Sequence, residues 1–375
     1  MKNTRQVFLS TGELSGELIA VEMVRQSRRL SLPWSFYGIT GDLLEQAGVQ
    51  SCYRYAEFSV MGLLDILVSL PKLAAIQNEL VDRMQLDPPD LAILVDYPGF
   101  HLQLAEKMAA IGIPVIQLVA PKLWAWGAWR AQRLRRDMAL VAGILPFEQT
   151  FFASRGVPYT YLGSPTLERV DRFLAAHDHL QRVPKQVAIL PGSRAGEIRR
   201  HLPFILQLCE RLRKQDAELR FVVPVAEGML PYYLQHEGLQ HYPALTLVEQ
   251  PSLQVMRQAQ VAIVASGTAT LECALCATPQ VVFYKLDGFS YRLGRILSSL
   301  THFSLVNLVA GEELAEEFIQ NFSVDQLARC VLALLEPAHP KRIHQQHCMV
   351  TVRQKLLNTV DYRQFFSQCE QIVSV

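Results

Sequence analysis

Four short loops carry the residue types that could handle an anionic, hydroxyl-bearing substrate. Each follows an apolar run and leads into an amphipathic segment. The first is Thr11-Gly12-Glu13-Leu14-Ser15-Gly16-Glu17. Its glycines permit close backbone approach, and Ser15 is expected to cap the helix that follows. Glu13 places a carboxylate at a strand's carboxyl end. The second is Val95-Asp96-Tyr97-Pro98-Gly99-Phe100-His101, where Asp96 ends an apolar run. A carboxylate there loses hydration unless it faces a cleft or is paired. It reads either as a general base or as the cap of the next helix.

The third loop, Leu190-Pro191-Gly192-Ser193-Arg194-Ala195-Gly196-Glu197, offers free backbone N–H groups at a helix start. It is neither a Walker A loop nor a dinucleotide fingerprint, since no GK[ST] is present. A diphosphate is its natural guest at Gly192 and Ser193, with Arg194 as charge partner. A well-capped turn is the other reading. The fourth is Ala265-Ser266-Gly267-Thr268-Ala269-Thr270-Leu271-Glu272. Ser266, Gly267 and Thr268 supply hydroxyl and N–H groups, and Glu272 lies one turn in, within reach of a ribose. Two such loops in one half suggest a nucleotide diphosphate. No Asp-x-Asp occurs in the chain. Its absence favours a site without metal, in which backbone dipoles and Arg194 neutralise a leaving diphosphate. No cofactor is expected.

The elements that must position these loops follow a β-α-β rhythm. Short apolar runs at Val7–Ser10, Leu91–Val95, Ile113–Val119 and Leu140–Leu145 alternate with segments long enough for crossover helices. The rhythm restarts after the polar stretch 175–186. The fold class expected is α/β, with two Rossmann-like doubly wound domains facing a central cleft. The domains are placed at 1–170 and 171–349, with a C-terminal helix over 350–375 packing back on the first. The 375-residue length suits two cores, and 50% hydrophobic with 19% charged residues describes a globular chain. A net charge of +1 gives no reason to expect nucleic acid. Seven scattered cysteines read as reduced thiols, and Cys273 with Cys276 as ordinary helix packing. His177, His179, His344 and His347 are read as surface residues with no ligand at metal spacing. The N-terminus is too short and polar for a signal peptide, and no run approaches the ~18 apolar residues of a spanning helix. A cytoplasmic location is expected.

At these loops the sequence resembles the lipid-A-disaccharide synthase family, inverting GT-B glycosyltransferases. The resemblance runs nearly end to end. It includes Ser59-Val60-Met61-Gly62, Ala120-Pro121-Lys122-Leu123-Trp124-Ala125-Trp126, Leu145-Pro146-Phe147-Glu148, the LPGSR and SGTATLE loops and Asn307-Leu308-Val309-Ala310-Gly311. It implies transfer of 2,3-diacylglucosamine from UDP to the 6-hydroxyl of 2,3-diacylglucosamine 1-phosphate. The products are the β-1,6-linked lipid A disaccharide phosphate and UDP. It further implies Asp96 as base, with Glu13 as the other candidate. On the donor side it implies Ser15, Arg194, the SGTATLE loop, Asn307, Glu317 and Gln320. The chain departs from the family pattern at Glu17, Gly99, His101, Ser164 and Glu316.

Acylated substrates imply membrane contact. Phe58 to Leu73 is apolar around most of a helix, including Met61, Leu64 and Leu67. Trp124 and Trp126 precede Arg130 and Arg133, a combination suited to an anionic lipid surface. The implied partners are the UDP-acyl-glucosamine donor, the acylated glucosamine phosphate acceptor and the inner face of the cytoplasmic membrane. A homodimer is left open. Two rival readings stand: a UDP-sugar 2-epimerase type enzyme, which needs no apolar 58–73 segment, and a non-catalytic UDP- or lipid-binding homologue.

Overall fold

The computed structural model describes residues 4–57, 63–125, 127–226, 228–236, 239, 242, 244–285, 301–356 and 360–374; of residues 63–70 only the backbone is described. The chain divides into two compact units, Met1–Pro165 with Val360–Val375, and Thr166–Thr359.

Unit 1 is built on a seven-stranded parallel sheet of order β3-β2-β1-β4-β5-β6-β7. The strands are β1 (Arg5–Thr11), β2 (Trp34–Thr40), β3 (Gln50–Arg54), β4 (Leu91–Val95), β5 (Val115–Leu118), β6 (Leu140–Gly143) and β7 (Tyr159–Tyr161). All five residues of β4 are buried, because helices cover both faces of a parallel sheet. The strand order reverses between β1 and β4, which pair with Thr11 opposite Val95. The loops after these two strands therefore leave the sheet side by side at its topological switch point, where doubly wound folds bind ligands.

Unit 2 repeats the plan with six parallel strands in the order β10-β9-β8-β11-β12-β13. They are β8 (Gln186–Leu190), β9 (Arg220–Pro224), β10 (Leu245–Val248), β11 (Val261–Ala265), β12 (Gln280–Tyr284) and β13 (Glu317–Ile319). Its switch point lies between β8 and β11, so the third and fourth loops emerge together.

In place of one helix over 350–375, the chain forms two, Pro340–Leu356 and Tyr362–Val373. The second buries Phe365, Phe366 and Cys369 against Val7, Leu9 and Ile93 in the unit 1 core. Glu370 locks it there by accepting from Trp34 Nε1 at 2.6 Å and pairing with Arg5 at 3.5 Å. All seven cysteines are free thiols, and Cys273 and Cys276 are buried. No helix among the described residues is long and apolar enough to cross a membrane.

Candidate functional site

In unit 1 the first two loops meet at the switch point. Gly12 lies against Tyr97 so closely that a Cβ would overlap the ring, and a Cβ on Gly16 would stand 3.7 Å from Asp96 Cβ. Asp96 is partly buried and Glu13 exposed. Asp96 and Tyr97 both adopt left-handed backbone, at φ 53° and 48°, and the β-branched Val119, just past the neighbouring strand β5, does so at φ 66°. Each such residue costs on the order of 1–3 kcal/mol, and such strain concentrates at functional sites.

Two buried side chains hold this strained edge. His101 Nδ1 stands 2.7 Å from the Asp96 carbonyl oxygen, and its Nε2 lies 2.8 Å from Ser10 Oγ. A carbonyl only accepts, so Nδ1 carries the proton, Nε2 accepts, and Ser10 donates. Burial pushes the His101 pKa down to about 4, which keeps the ring neutral at pH 7 and this tautomer in place. From β5, Gln117 Nε2 reaches the carbonyls of Asp96 and Val119, each at 3.2 Å. The signals for both partners were present as a histidine five residues after Asp96 and a glutamine inside an apolar strand.

Several expected roles are corrected. The first helix, Leu14–Arg29, starts one residue before Ser15 and has Glu13 as its N-cap position. Ser15 is thus inside the helix, and its hydroxyl donates to Glu13 at 2.6 Å instead of capping. The Pro98–Ala110 helix has Tyr97 at its N-cap, so Asp96 does not hold that position. Glu17 is buried and structural: it accepts from Leu44 N and Tyr55 O–H, each at 2.9 Å. Trp124 turns inward, donating to Glu148 at 3.1 Å and packing edge-on against Phe147. Glu148 is buried, and desolvation pushes its pKa up to about 7. The Arg130 guanidinium lies 6.0 Å from the centre of the Trp129 ring; Trp129 is 69% exposed, and Arg133 is exposed. Trp126 and Met61 fall outside the described residues, as do the side chains of Leu64 and Leu67.

In unit 2 the LPGSR loop is not the open nest expected. Glu197, at the third position of the Ala195–Arg213 helix, reaches back to accept from Ser193 N at 3.0 Å and Arg194 N at 3.3 Å. Its other oxygen accepts from Tyr284 O–H at 2.7 Å. This is half of a capping box, since an arginine side chain cannot accept in return. It also explains Gly192, where φ is 118° and any Cβ would strike the Glu197 carboxylate. Arg194 itself is 72% exposed and Ser193 is exposed, so both face solvent. His201 ties this loop down, with Nδ1 2.6 Å from the Pro191 carbonyl.

The SGTATLE loop divides its work. Thr268 is exposed at the start of the Thr268–Leu275 helix, with Ser266 and Gly267 partly buried beside it. Thr270 turns inward, accepting from Val306 N and donating to Gly267 O. Glu272 is buried and pairs with Arg169, so it is not the free ribose ligand expected. Asn307 is corrected more strongly. It is fully buried, and its amide is spent on Ala315 N, Ala315 O and Glu317 Oε1 at 2.8–2.9 Å. Glu317 also receives Phe303 N, Ser304 N and Ser304 Oγ. These two residues brace the Leu305–Ala310 helix. Gln320 stands just beyond them, partly buried and left-handed at φ 61°.

Comparison with known proteins places this arrangement. The lipid-A-disaccharide synthetase family profile matches residues 7–371. The chain is 36% identical to the lipid-A-disaccharide synthase of Solibacter usitatus over 338 residues, 88% of each chain. It is 35% identical to that of Alkalilimnicola ehrlichii, covering 88% of this chain and 89% of the relative. Among solved structures, the kitacinnamycin glycotransferase superposes with a TM-score of 0.65 at 15% identity, covering 99% and 100% of the two chains. The UDP-N-acetylglucosamine 2-epimerase of Rickettsia bellii gives 0.57 at 13%, covering 96% and 98%. At those identities the likeness shows the GT-B fold alone. The profile and the sequence relatives show more: the chain belongs to the lipid-A-disaccharide synthetase family and is a glycosyltransferase.

Proposed function

We propose that the chain transfers 2,3-diacylglucosamine from UDP to the 6-hydroxyl of 2,3-diacylglucosamine 1-phosphate by a single inverting displacement. Asp96 carries this reading. It is a carboxylate held on strained backbone at a sheet switch point, beside the glycine-rich first loop. Asp96 takes the acceptor's hydroxyl proton as the oxygen attacks the anomeric carbon. The bond from that carbon to the UDP oxygen breaks with its electron pair, and UDP leaves. Arg194, Ser193 and the Ser266–Thr268 helix start neutralise the departing diphosphate, so the transfer needs no metal. Glu13 orients the first loop through Ser15. Asn307 and Glu317 act indirectly, by bracing the helix next to the fourth loop.

The exposed Trp129, with Arg130 and Arg133, supports peripheral contact with the anionic inner face of the cytoplasmic membrane. The 2-epimerase reading rests on fold likeness only, and the family membership disfavours it. The test is to incubate the purified protein with labelled donor, acceptor and a chelator. The expected result is a β-linked disaccharide phosphate. Intact UDP binding without that product contradicts the proposal.

A further inference from the structure

Unit 2 brings three metal-ligating side chains together in a place that the transfer reaction does not use. His344 and Cys348 lie four residues apart on the Pro340–Leu356 helix, hence on one face. Glu312 approaches them from the turn that Gly311, at φ 77°, makes after the Leu305–Ala310 helix. The sequence reading of His344 as an isolated surface histidine overlooked this spacing. Among the described residues, these three form the one group of three or more such donors, and their ligand atoms all lie within 4.8 Å of one another. We propose that Glu312, His344 and Cys348 bind a divalent transition-metal ion of the zinc class.

The distances carry the argument. Cys348 Sγ is 3.5 Å from Glu312 Oε1, 3.6 Å from His344 Nε2 and 3.7 Å from His344 Nδ1. Zinc holds sulfur at ~2.3 Å and nitrogen or carboxylate oxygen at ~2.0–2.2 Å in tetrahedral geometry, which sets ligand atoms roughly 3.6 Å apart. The sulfur already stands at tetrahedron-edge distance from both neighbours. It is nearly equidistant from the two ring nitrogens, so a rotation of the exposed imidazole aims either one. A thiolate and an imidazole favour zinc, copper or cobalt over magnesium and calcium, which prefer oxygen. Cys348 is buried while His344 and Glu312 are exposed, so the sulfur lies on the inner side of the site and the outer side is open to a water ligand. On binding, the thiol proton passes to solvent and the sulfur electron pair to the ion.

The ion's role is mechanical. Glu312 belongs to the stretch between Asn307 and Glu317, so coordination pins that stretch to the Pro340–Leu356 helix within unit 2. Titration of the chelator-stripped, reduced full chain with Co²⁺ alone tests this. The expected result is one equivalent bound, with a thiolate-to-cobalt charge-transfer band that Zn²⁺ then bleaches. Cys348→Ser abolishes the band. His344→Gln and Glu312→Gln, both at exposed side chains, weaken binding without unfolding the chain, as circular dichroism checks. Cys276→Ser keeps the band. Absence of a band in the wild-type protein, or its persistence in folded Cys348→Ser, overturns the proposal.

Discussion

His101 in unit 1 and His201 in unit 2 play parallel parts from opposite sides of their switch points, His101 after β4 and His201 after β8. Each sits on the helix that follows a switch-point strand, and each directs Nδ1 onto a loop carbonyl, that of Asp96 or that of Pro191. Burial lowers the pKa of both rings, so both are neutral struts. The loops they hold differ. In unit 1 the held residue is itself strained and carries a carboxylate beside the first loop. In unit 2 an internal carboxylate, Glu197, already satisfies two loop N–H groups. The contrast teaches how labour divides on one scaffold. Under the proposed mechanism, the unit 1 edge fixes one reactive group in place. The unit 2 edge cannot rely on those two backbone donors, so under the proposed mechanism its hold on the diphosphate falls to the exposed Arg194 and Ser193 side chains and the fourth loop.

The largest effect should come from the reactive group. Asp96→Asn is expected to lower kcat by about 10²–10⁴-fold, the range of a lost general base, in a steady-state transfer assay. Arg194→Ala comes next. A charge-assisted bond contributes roughly 1.5–3 kcal/mol, so donor KM should rise about 10–100-fold. The struts should separate the two edges with smaller effects. His101→Gln is expected to lower kcat more than it raises donor KM, and His201→Gln to do the reverse; equal kcat and KM changes in both variants would erase the comparison.

The pH dependence sharpens the unit 1 side. His101 has a folded pKa of about 4. The unfolded ring titrates near ~6.5. Between these values the unfolded chain binds the extra proton, so stability is full above the unfolded pKa and falls as pH drops toward the folded one. Denaturant unfolding at pH 7 and pH 5 should show a His101 contribution smaller by about 2 kcal/mol at pH 5. His101→Gln should lack that loss.

How much of this was legible follows from what sequence encodes. Apolar runs of four to seven residues marked the strands, and the loops after them carried the glycines, Asp96 and Arg194. The loops that carry Glu13 and Asp96 do leave the sheet side by side, because β1 and β4 pair at the switch point. What sequence could not give is which polar side chains spend themselves internally. Asn307, Glu272 and Trp124 sit in motifs that carry the resemblance, and Glu317 is implied by it, yet each is bonded to a neighbour within its own unit. Motif membership records that a residue matters, not whether it touches ligand or supports a residue that does. The left-handed backbone at Asp96, Tyr97 and Val119 was likewise invisible, since no glycine announces it.

The division of labour is tested most directly by calorimetric titration of UDP into Asp96→Asn and Arg194→Ala side by side with the wild-type chain. Asp96→Asn is expected to bind UDP as the wild type does, and Arg194→Ala at least about ten-fold more weakly. Equal weakening in both variants would contradict the account.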